Sequence, residues 1–169
     1  MVKEIKKAAV IGAGVMGSGI AAHMANAGIQ VLLLDLPQSG LGQKNKLADD
    51  ALERMKKADP APFMSAEAIK RVTAGNTESD LDKLAGCDWV VEAIIEKIEY
   101  KRDLYEKIEK AVRPGTIVSS NTSTIPMEKL IEGRSVEFKK NFFITHFFNP
   151  PRYTRLLEIV SSKESDKES

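Results

Sequence analysis

Cysteine is nearly absent: Cys87 is the only one in 169 residues, so no disulfide can close within the chain. The stretch around it reads as buried, which suits a reducing compartment and a packing role for the thiol. Histidine is scarce as well. With only His23 and His146, far apart, and one cysteine, no ligand set for a transition metal can be assembled. Charge of one sign is not in excess. The 25 basic and 24 acidic side chains leave a formal charge of +1, which excludes a global pull toward nucleic acid or acidic membranes. Any anion site must be local. No apolar run approaches the ~20 residues of a membrane span, and MVKEIKK leads into a strand without a signal-peptide core, so the expected setting is cytoplasmic. There, the sequon Asn121-Thr122-Ser123 has no consequence. The G-x-S-x-G elbow of one hydrolase class is missing too.

What the sequence does contain is alternation. Hydrophobic residues make up 43% and charged residues 29%, ordinary globular values, in a length that suits one domain of roughly 100 to 200 residues. Short runs rich in valine and isoleucine alternate with longer amphipathic stretches, the sign of βαβ units and a doubly wound, mostly parallel α/β sheet. Strands are expected at Lys7–Ile11, Gln30–Leu34, Arg71–Ala74, Trp89–Glu92, Thr116–Ser120, Phe142–His146 and Leu156–Val160. Helices are expected at Val15–Ala27, Leu41–Ala58 and Ile98–Val112, with a short one near Met127–Ile131. About residues 36–70 are too many for an ordinary crossover, whose loops run about 2 to 6 residues, and read as a helical excursion. Within it Leu47, Ala48, Ala51, Leu52 and Met55 share one helix face. The domain is drawn over residues 1–160, and the polar residues 161–169 are expected to fray.

The local anion site is VIGAGVMGSG. Gly12, Gly14 and Gly17 stand as G-x-G-x-x-G between a strand and a helix, the turn of a Rossmann-type fold. Gly12 permits the tight turn, Gly14 lets backbone approach a pyrophosphate, and Gly17 lets helix and strand pack closely. The helix opening at Val15 and Met16 then offers unpaired N–H groups and the positive end of its dipole. Asp35 closes the second strand about 20 residues on, where a carboxylate accepts from the ribose 2′-hydroxyl and repels a 2′-phosphate. The motif therefore predicts NAD over NADP. Flavin is a weaker alternative for the same turn, and Asp35 as a plain turn residue is the other reading.

His146 precedes Asn149-Pro150-Pro151, residues suited to a chain reversal. If the last two strands pair antiparallel about Arg152, His146 and Glu158 stand opposite each other, within reach of a carboxylate–imidazole bond. A carboxylate there fixes the ring's tautomer and steadies the imidazolium formed when it accepts a proton. His23, inside the first helix, reads as structural.

Together, VIGAGVMGSGIAAHMANAG, VVEAIIEKIEYK, SSNTSTIP and THFFNPPRYTRLLEIV closely resemble the NAD-binding domain of the L-3-hydroxyacyl-CoA dehydrogenases. The resemblance implies NAD-dependent oxidation of the 3-hydroxyl of an acyl-CoA in β-oxidation. It implies His146 as catalytic base, Glu158 as its carboxylate partner, and Ser123 as a hydrogen-bond partner of the substrate oxygen. It places Glu96 and Lys101 near the cofactor, and Asn121 and Asn149 along the nicotinamide and substrate region. Read on its own, Ser123 equally suits a polar loop whose hydroxyls cap the next helix. Lys56 and Lys57 correspond loosely to CoA-binding lysines, against a solvated helix face. The family's helical C-terminal domain, which carries its homodimer interface, has no counterpart in these residues. A non-catalytic NAD-binding module is the alternative, and a dehydrogenase of small 3-hydroxy acids is a third, weaker one because that group typically uses a lysine base and lacks HFFNP.

Overall fold

The computed structural model describes residues 4–40 and 43–165. In chain order these form β1 (Lys7–Ile11), α1 (Val15–Asn26), β2 (Gln30–Asp35), α2 (Lys46–Lys57), α3 (Ala66–Lys70), β3 (Val72–Asn76), β4 (Trp89–Glu92), α4 (Ile98–Ala111), β5 (Ile117–Ser120), α5 (Met127–Leu130), α6 (Val136–Lys140), β6 (Phe142–Phe147) and β7 (Leu157–Val160). A 3₁₀ turn, Leu81–Gly86, precedes β4. Among the described residues one seven-stranded sheet runs β3-β2-β1-β4-β5-β6-β7, parallel throughout except for the antiparallel β6–β7 pair. This is the doubly wound, Rossmann-type α/β architecture.

Strand alternation builds two cores. Ala8 and Val10 of β1, with Val31 and Leu33 of β2, face Ile20, Ala21 and Met24 of α1 and Ala48, Ala51 and Met55 of α2. Ala9, Ile11, Leu32 and Leu34 point the other way, toward Leu104, Tyr105 and Ile108 of α4 and Phe138 of α6. Small residues let α1 lie close to the sheet, and Gly17, Ala21, Ala22 and Ala25 are all buried. Both faces are covered, so the central strands read as continuous apolar runs.

The excursion is a helix pair. α2 turns Ala48, Ala51 and Met55 inward, while Leu47 and Leu52 are half-buried. Its expected start at Leu41 lies outside the described residues. α3 and α6 were not expected from sequence. Each is short and opened by a serine: the Ser65 and Ser135 hydroxyls accept from the Ala68 and Phe138 amides at 3.2 Å. After Val160 the described residues continue to Ser165. Ser162 and Ser165 close a small turn there, with the Ser162 amide donating to Ser165 Oγ at 2.8 Å.

Candidate functional site

The site forms along the C-terminal ends of β1, β2, β4, β5 and β6, where open parallel sheets bind ligands. Gly12 takes φ +108°, and a Cβ there would lie 2.5 Å from the Ala93 carbonyl oxygen. At Gly17 a Cβ would stand 1.7 Å from the Gly12 carbonyl oxygen, so only glycine lets α1 begin so close to β1. Nothing lies within 4 Å of the Cβ direction of Gly14, so the backbone there faces open space. Val15 is exposed, whereas Met16 is partly buried against the core.

Asp35 reaches back to this loop. Its Oδ2 accepts from the Ala13 amide at 2.6 Å and its Oδ1 from the Leu36 amide at 2.6 Å. Gly12, Gly14 and Asp35 line a cleft of about 670 Å³ whose apolar wall includes Leu36, Ile94, Ile95 and Leu104. Open backbone at Gly14, the helix mouth and the carboxylate beside the turn fit a dinucleotide.

β4 ends in a buried carboxylate that sequence reasoning missed. Glu92 is 0% exposed and pairs with Lys101 at 2.6 Å, while Lys101 also reaches Glu96 at 3.2 Å. Lys101 is 1% exposed, and its ammonium pairs with both carboxylates, Glu92 and Glu96. Glu96 itself is part-exposed and also accepts from the Thr122 hydroxyl and, at 3.0 Å, from Thr124 Oγ1. Burial pushes its carboxyl up, but the Thr122 bond and the Lys101 charge outweigh that and hold it below the ordinary value. The available signal for Glu92 was an acid ending an apolar strand, with a lysine and a tyrosine one turn apart on the next helix.

Asn121 joins β5 to β6. Its Oδ1 accepts from the Phe147 amide at 2.9 Å, and its own amide donates to the Glu92 carbonyl at 2.8 Å. Ser123 is exposed and makes no hydrogen bond among the described residues. The serine does not cap α5; the neighbouring Thr122 Oγ1 accepts from the Ile125 amide at 3.2 Å instead. On β6 His146 is the register partner of Glu158 on β7, as the sequence predicts, and its Nδ1 lies 2.8 Å from Glu158 Oε2. The Phe148 ring packs on the imidazole at 4.6 Å between centroids. Asn149 lines a second cleft, of about 340 Å³, with Val15, Ser18, Gly19 and Arg54. Lys56 is exposed and paired with Glu53 at 2.6 Å. His23 packs its ring edge-on to Phe147.

A glycine turn between β1 and α1 and a second strand ending in an acid, on a doubly wound sheet, define a Rossmann-type dinucleotide-binding α/β domain. Residues 7–169 match the family described as 3-hydroxyacyl-CoA dehydrogenase, NAD binding domain, and the chain belongs to it. A probable 3-hydroxyacyl-CoA dehydrogenase of Deinococcus radiodurans is 54% identical over 96% of this chain and 47% of its own length. The fatty acid oxidation complex subunit alpha of Psychrobacter arcticus is 34% identical over 98% of this chain and 22% of its own. The crystal structure of 3-hydroxybutyryl-CoA dehydrogenase from Escherichia coli superposes with a TM-score of 0.82 at 28% identity, covering 98% of this chain and 34% of that one. The chain thus spans half or less of the length of these relatives.

Proposed function

We propose that this chain forms the cofactor half of a cytoplasmic L-3-hydroxyacyl-CoA dehydrogenase, with residues 1–160 as the folded domain. Its substrate is a 3-hydroxyacyl-CoA, and the family's C-terminal domain completes the cleft and the dimer. Among the described residues no helix is long and apolar enough to cross a membrane.

In this reading the His146 Nε2 accepts the proton of the C3 hydroxyl while Glu158 holds Nδ1–H and steadies the imidazolium. The chemistry that NAD would supply there is acceptance of the hydride leaving C3. Ser123, with its hydroxyl free at the end of β5, donates to the substrate oxygen, and Asn121 and Asn149 line the approach. Gly12, Gly14, Gly17, Val15 and Met16 seat the pyrophosphate; Asp35 takes the adenosine ribose, and Glu96 the far side of the cofactor. Lys56 and Lys57, on the outer face of α2, suit the phosphates of CoA.

The observation that carries this reading is the 2.8 Å bond between His146 and Glu158, across a strand pair at the edge of an NAD-binding sheet. The test is acetoacetyl-CoA-dependent loss of NADH absorbance, with this chain alone and with a relative's C-terminal domain supplied. Turnover in either supports the dehydrogenase. NADH binding without turnover in both supports a binding module instead.

A further inference from the structure

Glu92 has no part in the chemistry above, yet it is wholly buried, where a carboxylate is costly unless its lone pairs are met. They are met by groups from four places in the chain. Oε1 accepts from the Ile94 amide at 2.8 Å and from Lys101 Nζ at 2.6 Å. Oε2 accepts from Ser120 Oγ at 2.6 Å and from the Tyr105 hydroxyl. Burial, with the Glu92 charge adding to it, pushes the Tyr105 phenol well above its ordinary value, so that hydroxyl stays protonated and keeps donating. Two of these partners lead to the cofactor site. Ile94 lines the cleft, and Lys101 extends the hold to Glu96 at 3.2 Å.

We propose that Glu92 is a positioning residue for the NAD site: from behind the sheet edge it fixes the 93–97 loop through the Ile94 amide and, through Lys101, sets where Glu96 stands. The proposal rests on the reading that this cleft takes NAD. An ion pair serving only the fold would need no bond to the cleft-lining amide and no second carboxylate at the surface. Here the same ammonium spans a carboxylate with 0% side-chain exposure and one with 38%. That gradient points the network outward.

The experiment measures NADH affinity by fluorescence titration, and melting temperature, for wild type, Glu92→Gln, and Glu92→Gln combined with Lys101→Met. Glutamine keeps the shape and removes the charge, leaving Lys101 to draw on Glu96 alone. Glu92→Gln is expected to melt lower and to bind NADH roughly tenfold more weakly at a temperature where it is folded. The double variant, with no half-paired buried ammonium, is expected to regain melting temperature without regaining affinity, because no cation then holds Glu96. Stability restored without affinity supports a positioning role. NADH affinity in the double variant within about twofold of wild type overturns it, and that arm decides the matter if Glu92→Gln fails to fold. A wild type that does not bind NADH overturns the reading of the cleft, and this proposal with it.

Discussion

His146 Nδ1 lies 2.8 Å from Glu158 Oε2, and the two residues are direct register partners across β6 and β7. In the neutral ring the hydrogen facing a carboxylate resides on Nδ1, which leaves Nε2 as the proton acceptor. Replacing His146 by glutamine keeps a polar side chain but removes the base. In any preparation that oxidises NADH with acetoacetyl-CoA, His146→Gln should lose ~10²- to 10⁴-fold in turnover. Its NADH affinity should stay within about twofold. Steady-state rates and a fluorescence titration check both halves, and undiminished turnover would remove His146 from the chemistry.

Gly14 and Gly17 stand three residues apart and should respond in opposite ways. A Cβ on Gly17 meets the Gly12 carbonyl oxygen at 1.7 Å, a backbone atom with no room to retreat. Gly17→Ala should therefore lower the melting temperature sharply, with a loss of about 3 kcal/mol or more, in the range of severe overpacking. A Cβ on Gly14 meets nothing within 4 Å, and φ of −66° suits any residue. Gly14→Ala should melt like wild type yet bind NADH at least about tenfold more weakly, because the methyl occupies the pyrophosphate's approach. A Gly14→Ala variant with unchanged affinity would mean that the cofactor does not cross this turn.

All seven strands and the helices α1, α2 and α4 were legible in the sequence through their own apolar periods, and α5 was expected as a short helix at its observed place. Even the β6–β7 register could be read, since a single turn containing two prolines fixes both flanking strands. α3 and α6 were missed because five residues cannot show a helical period; their serine caps, Ser65 and Ser135, were the signal left unread. Glu92 was missed for a different reason. Its role depends on Lys101, Tyr105 and Ser120 converging from two other elements, and strand patterning treats a terminal acid as a strand end. Burial of Lys101 was illegible on the same ground.

Asp35 should set cofactor preference by charge. Its Oδ2 already accepts from the Ala13 amide at 2.6 Å, so the carboxylate is held in place at the glycine turn before any ribose arrives. A 2′-phosphate placed against it would meet like charge in a partly desolvated cleft. Wild type should bind NADH more tightly than NADPH by about tenfold or more. Asp35→Asn keeps an oxygen for the Ala13 amide, gives up the bond from the Leu36 amide and removes the charge, so it should narrow that ratio with a small fall in melting temperature. Parallel titrations of both cofactors decide the point; tighter NADPH than NADH in wild type would reverse the assignment.

The Thr122 hydroxyl and the Lys101 ammonium hold the Glu96 carboxyl below its ordinary value of 4.5 against the opposing effect of burial. A carboxyl lowered on folding adds stability that is fully present above the unfolded value and is lost as pH falls through the folded one. Thr122→Val removes the largest of the causes that lower it, together with the bond from the Ile125 amide to Thr122 Oγ1, whose loss carries no pH dependence of its own. The variant should therefore melt below wild type at neutral pH. The gap should then narrow as pH drops below 4.5, where the wild type progressively loses what the variant already lacks. Melting curves from neutral pH down through the acid limb measure this directly. A gap that stays constant across that range would show that Thr122 acts only through the Ile125 amide and leaves the Glu96 charge unaffected.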